Sequence, residues 1–135
     1  MDPVRVLVVD DNHLIRRLLD LILEGAGHAA VEADSGEAAL GFALADPPDL
    51  CIVDEAMPGM SGSQLIRALR TSPDQRLACV PVIGISGRAG AREDLLAAGA
   101  TMFLPKPIEE RAVLGAIARL LATKRWLPRA GRSTA

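Results

Sequence analysis

A chain of 135 residues, 50% of them hydrophobic and 24% charged, is long enough for one globular domain and too apolar to remain disordered. Its net charge of −2, with only Phe42, Phe103 and Trp126 as aromatic residues, argues against the broad positive footprint and the stacking platform of a nucleic-acid binder. No apolar run approaches the roughly 18 residues of a membrane span.

The start, Asp2-Pro3 with Arg5 close behind, does not read as a secretory leader. Two cysteines, Cys51 and Cys79, make neither a metal site nor a disulfide framework, and Cys51 reads as a buried free thiol. A reducing, cytoplasmic setting is expected.

Residues 4–9 (VRVLVV) read as a strand, ending in Asp10-Asp11. A helix is expected over 12–24, stopped at Gly25 or Gly27. On its wheel Ile15, Leu18, Leu19 and Ile22 form the core stripe, with Leu14 and Leu21 widening it on one side and Leu23 on the other. Residues 29–33 read as a weaker second strand, and Ser35 caps a helix running to residue 45. Asp46-Pro47-Pro48-Asp49 is a loop.

The chain is organised around the next stretch. Residues 50–53 (LCIV) read as a strand buried on both faces, and Asp54 and Glu55 stand where it must emerge. Pro58-Gly59 breaks the backbone, and Ser61 with Gln64 three residues on makes a capping box for a helix over 62–70. Residues 71–80 read as an irregular polar connection. The fourth strand, 81–85, ends at Ser86, and a helix over 91–98 is stopped by Gly99. The fifth strand spans 101–104, Pro105-Lys106-Pro107 is a rigid corner, and the last helix spans 108–123. Glu109 and Glu110 lie in its first turn and Lys124 and Arg125 beyond its end, as the helix dipole favours. Residues 1–123 form the domain, and 124–135 form a basic tail expected to fray.

Strand and helix alternate through the whole chain. Such alternation requires parallel strands joined by right-handed helical crossovers. The expected fold is an α/β, doubly wound five-stranded parallel sheet of the flavodoxin-like kind, strand order 2-1-3-4-5.

In that topology Asp10-Asp11, Asp54, Ser86 and Lys106 all reach the carboxyl edge of the sheet, where ligands collect. Three carboxylates crowded together repel one another, and a hard divalent cation relieves them. Oxygen donors of this type suit Mg²⁺ better than Zn²⁺. A carboxylate beside a metal and a lysine can accept a phosphoryl group and form an aspartyl phosphate. Two alternatives fit less well. A flavodoxin-like ligand binder needs a small-residue phosphate loop where Asp10-Asp11 stands. A haloacid-dehalogenase-like phosphatase needs Asp-x-Asp on one strand end, whereas Asp54 lies far along the chain from Asp10-Asp11. His13 reads as an exposed helix residue, and His28, in a turn, has no evident role.

Val9-Asp10-Asp11-Asn12, Asp54 with Met57-Pro58-Gly59-Met60-Ser61-Gly62, Ser86, and Phe103-Leu104-Pro105-Lys106-Pro107 together resemble the receiver domain of two-component response regulators. The resemblance implies that Asp54 accepts a phosphoryl group from a sensor histidine kinase or a histidine phosphotransfer protein. It implies that Asp11, Asp54 and the backbone carbonyl of Ala56 ligate Mg²⁺, with Asp10 acting mainly through water. Lys106 would pair with the phosphate or with Asp54, and Ser86 would reach toward the phosphoryl group. Phe103 would be the aromatic switch that follows Ser86, although core packing explains it equally simply. The Lys106–Pro107 bond is expected to be cis.

On the same footing the chain is a stand-alone signalling domain rather than an enzyme with turnover, and its effector protein is unknown. A homodimer through 91–98 and 108–123, linked to phosphorylation, stays open. Leu14 and Leu18 are either part of a broad buried face or a docking patch for the histidine donor. Ala56 and Arg88 occupy positions that tune dephosphorylation in the family. Glu55 should point away from Asp54 and be solvated.

Overall fold

The computed structural model describes residues 3–123. The basic tail expected over 124–135 lies outside the described residues. The elements are β1 (Arg5–Val9), α1 (His13–Gly25), β2 (Ala29–Ala33), α2 (Gly36–Ala45), β3 (Leu50–Asp54), α3 (Gly62–Arg70), α4 (Gln75–Ala78), β4 (Val82–Ser86), α5 (Ala91–Ala98), β5 (Met102–Pro105) and α6 (Glu110–Thr123). The five strands are all parallel, in the order β2-β1-β3-β4-β5. This is the doubly wound, flavodoxin-like sheet that the alternation requires.

Strand residues alternate between two cores. Leu7, Val9, Cys51, Val53 and Val82 face α2, α3, α4 and α5. Val6, Val8, Leu50, Ile52, Ile83 and Ile85 face α1 and α6. Fully buried leucines and isoleucines such as Leu19, Ile52, Leu65 and Ile117 each contribute roughly 1.5–3 kcal/mol by leaving water. Leu95 of α5 packs directly on Gly84 of β4, where an added Cβ would lie 3.0 Å from its Cδ1.

The helix starts are set by local chemistry. Asn12 accepts from Leu14 N and Ile15 N, Ser35 accepts from Ala38 N, and Ser61 and Gln64 form the reciprocal capping box. The segment 71–80 contains one short helix that the sequence does not signal, α4, capped by Asp74 and plugged into the core by the fully buried Leu77. Two strands each carry their last polar residue inside the ladder: Asp54 closes β3 and Ser86 closes β4.

At the opposite edge of the sheet, half-buried Arg70 gathers loose backbone. Its guanidinium donates to the carbonyls of Val80 (2.7 Å), Gly99 (3.0 Å) and Ala78 (3.3 Å). One side chain thus ties the end of α3 to the approach to β4 and the end of α5.

The first helix differs from the broad buried face. Leu19, Ile22 and Leu23 are buried, whereas Leu14, Leu18 and Leu21 are 74%, 38% and 54% exposed. The sheet covers one side of α1 and leaves a leucine stripe uncovered. Conversely, Asp20 and His28 are buried. His28 lacks the idle role expected of it: its Nδ1 accepts the Val4 backbone N–H at 3.2 Å, and burial lowers its pKa.

Among the described residues no helix is long and apolar enough to cross a membrane.

Candidate functional site

β1 delivers Asp10 and Asp11 to the carboxyl edge. Asp10 is fully buried, and its Oδ1 accepts from Asn12 N at 2.9 Å, which turns the chain into α1. Its carbonyl accepts from Arg16 Nη1 at 2.7 Å, while Arg16 Nε donates to Glu32 at 2.9 Å. The Asp10 backbone is therefore held from α1 and, through Arg16, from β2. Asp11 is exposed at the mouth.

β3 delivers Asp54, which is 2% exposed and lies in register with Ile85 of β4. One carboxylate oxygen from each of Asp10, Asp11 and Asp54 lies within 4.8 Å of the others. Lys106 enters from the corner after β5. Its backbone N–H donates to Ser86 O at 2.9 Å, and the Lys106–Pro107 bond is cis. Its Nζ lies 3.0 Å from Asp10 Oδ2 and 3.1 Å from Asp54 Oδ1.

The electrostatics follow from that geometry. Burial, and the Asp10 charge beside it, push the Asp54 pKa up, against the opposing pull of Lys106. Burial alone would lower the pKa of Lys106, but its hydrogen bonds to Asp10 and Asp54 outweigh this and raise it. Lys106 is therefore a held cation rather than a solvated surface lysine.

The remaining expected residues differ in their surroundings. Ser86 is 3% exposed, and its Oγ accepts from Arg88 N at 3.0 Å. Ala56 is exposed in the loop two residues beyond Asp54. Phe103 is half-buried and packs against the core beneath α2, α3 and α5. Glu55 does not reach solvent. It is 7% exposed, and its Oε1 accepts from Ser63 N at 2.7 Å and from Ser63 Oγ at 2.9 Å. The alternation rule places Glu55 away from Asp54, but the start of α3 lies on that side and covers it.

Sequence reasoning also missed Arg16 and Ser63, which position the site without touching its centre. No local spacing marks either of them. Each acts on a residue brought near by a turn of the fold.

Comparison with known proteins bears on the fold and the family. The family model described as the response regulator receiver domain matches residues 6–118. The chain is 34% identical over 121 residues to response regulator MprA of Mycolicibacterium vanbaalenii, a match covering 88% of this chain and 51% of that protein. It is 38% identical over 110 residues to the sensor histidine kinase GacS of Pseudomonas protegens, covering 79% of this chain and 12% of that protein. It thus spans about half the length of the first relative and a small part of the second. The crystal structure of the signal receiver domain of a signal transduction histidine kinase from Syntrophus aciditrophicus superposes with a TM-score of 0.83 at 30% identity, covering 98% of this chain and 99% of that one. With its topology and the family model in agreement, the chain belongs to the response regulator receiver domain family.

Proposed function

We propose that the chain is a phosphorylation switch in which Asp54 accepts a phosphoryl group from a phosphohistidine of a sensor kinase or phosphotransfer protein. The observation that carries this reading is the Lys106 ammonium seated between Asp10 and Asp54, beside the carboxylate of Asp11.

The donor set fits a hard divalent cation. Three carboxylate oxygens lie within 4.8 Å of one another, and burial together with the neighbouring Asp10 and Asp11 charges raises the Asp54 pKa, a strain such an ion relieves. Asp11, Asp54 and the carbonyl of Ala56 would hold Mg²⁺, with Asp10 supporting. When bound, Mg²⁺ supplies neutralisation of charge between the carboxylates and the phosphoryl oxygens.

In the transfer a carboxylate oxygen of Asp54 attacks phosphorus. The phosphorus–nitrogen bond of the donor breaks, and its electron pair stays on the imidazole nitrogen. Lys106, already within hydrogen-bonding distance of Asp54, shifts to a phosphoryl oxygen and stabilises the developing charge. As the new bond forms, the Ser86 hydroxyl moves in to donate to a second phosphoryl oxygen, and Phe103 follows Ser86 to alter the surface read by an effector protein. The domain catalyses only its own modification and releases no product beyond phosphate. A reducing, cytoplasmic setting suits its two free cysteines.

Incubation with acetyl phosphate and Mg²⁺, followed by intact-mass measurement, tests this. One phosphoryl group, lost to hydroxylamine and absent from Asp54→Asn, is the expected result. Continuous release of phosphate over many turnovers points to a phosphatase instead. No gain of mass ends the proposal.

A further inference from the structure

The Ser86 oxygen is already engaged in this structure. It accepts the Arg88 backbone N–H at 3.0 Å, a tight turn that ties the hydroxyl's position to that of Arg88. The Arg88 side chain is tied down in turn. Its Nη2 lies 3.7 Å from Glu55 Oε2 and 3.5 Å from Asp94 Oδ2. Glu55 is fixed from behind by Ser63, whose Oγ lies 2.9 Å and 2.8 Å from the two carboxylate oxygens. A continuous path therefore runs from the start of α3 through Glu55 and Arg88 to Ser86.

The two ends of this path differ in strength. The Glu55 side chain is 9% exposed and held by both the backbone and the hydroxyl of Ser63. The Arg88 and Asp94 side chains are 53% and 58% exposed, so their pairings are solvated and cheap to break. The anchor is firm and the contact made on it is loose.

We propose that Glu55 and Arg88 form a resting catch: Arg88 is a positioning residue, seated on Glu55, that holds the Ser86 turn back from the phosphoryl site. The inference rests on the phosphoacceptor reading and adds a control on its rate. Moving Ser86 onto a phosphoryl group at Asp54 shifts the Ser86-Gly87-Arg88 turn and draws the guanidinium off Glu55. The catch therefore adds to the barrier of each phosphorylation event. Asp94 shares the same guanidinium and ties the start of α5 into the same motion.

The test is the rate of phosphoryl uptake from acetyl phosphate with Mg²⁺, read by intact mass, for wild type, Arg88→Ala, Glu55→Gln and the double variant. Glutamine keeps an acceptor for Ser63 and removes only the charge. Each single variant is expected to be faster by about two- to five-fold, the size of a solvated ion pair. The double variant is expected to be no faster than Arg88→Ala alone, because Glu55 acts through that guanidinium. The ratio of Arg88→Ala to wild type should also fall toward one as sodium chloride is raised, which loss of a purely structural contact would not produce. Arg88→Ala that is equal to or slower than wild type overturns the catch, as do single effects that multiply in the double variant. A wild type that takes up no phosphoryl group overturns the phosphoacceptor reading itself, an outcome distinct from phosphorylated variants of unchanged rate.

Discussion

Gly62 stands against the peptide of Asp54 with no room for a side chain: a Cβ there would overlap the Asp54 carbonyl oxygen and lie 2.9 Å from Glu55 Cα. Both contacts are backbone, so neither can yield by a rotamer change. Gly62→Ala must push α3 off the end of β3 or move the acceptor. We expect a loss of about 1–3 kcal/mol in urea unfolding and a marked fall in phosphoryl uptake. Gly41→Ala, inside α2 with nothing within 4 Å of the added carbon, should instead gain about 0.5–1 kcal/mol. Opposite signs from the same chemical change would confirm that close approach, rather than glycine as such, matters at position 62.

Lys106→Met leaves two buried carboxylates, Asp10 and Asp54, adjacent and without their cation. In Mg²⁺-free buffer at pH 7 the variant should lose stability by about 3–5 kcal/mol, the cost of uncompensated buried charge. The loss should shrink at pH 4, because the raised pKa of Asp54 favours its protonation there and removes one of the two charges. Phosphoryl uptake with Mg²⁺ should fall by roughly 100-fold, as when a preorganised charge-stabilising donor is removed. Urea titrations at the two pH values and uptake measured by mass spectrometry check both statements.

A docking role for the exposed leucine stripe on α1 predicts a difference between a histidine donor, which would use it, and acetyl phosphate, which would not. Leu14 and Leu18 are exposed, so replacing both with alanine should change stability by less than about 1 kcal/mol. Uptake from acetyl phosphate should stay as in wild type, and transfer from a phosphohistidine protein should slow. Equal slowing with both donors would show that the stripe supports the site rather than docking the donor.

Asp20 gives the fold a pH dependence of unusual sign. Burial, with the Glu32 carboxylate hydrogen-bonded beside it and Glu24 nearby, pushes its pKa from 3.8 up to about 7, while Arg17 opposes this. The proton of the pair stays on Asp20, and that hydrogen bond holds the Glu32 pKa down. A carboxyl raised by folding stabilises the native state only while protonated. Its contribution is complete below 3.8 and is lost as pH rises through about 7. Asp20→Asn should therefore become more stable relative to wild type as pH is raised from 4 to 8. A constant difference between the two urea midpoints across that range would refute it.

Much of the scaffold was readable because its signals are local. The apolar runs at 4–9 and 50–53, the Ser35 and Ser61 caps and the Pro-Lys-Pro corner each depend on neighbours in sequence, and each lies where the pattern put it. The meeting of Asp10, Asp11, Asp54 and Lys106 was readable for a different reason: parallel topology sends every strand end to one edge. What escaped depends on distant residues. Glu55 is buried because Ser63 folds back to it, His28 because the Val4 amide needs an acceptor, and Asp20 because Glu32 arrives on β2. A helical wheel gives the width of the leucine face on α1 but not how much of it the sheet covers.

The carbonyls gathered by Arg70 make the sheet unequal along its length. Its foot is riveted, with three segments sharing one guanidinium, while at the head the chain from Ser86 to Ala91 crosses two glycines, one of them Gly90 at φ +85°. On the proposed switch, displacement begun at Asp54 would meet least resistance upward, with β4 and α5 hinging at their base. An effector would then read the upper rim of α5, where the chain is least restrained, rather than the lower rim that Arg70 pins.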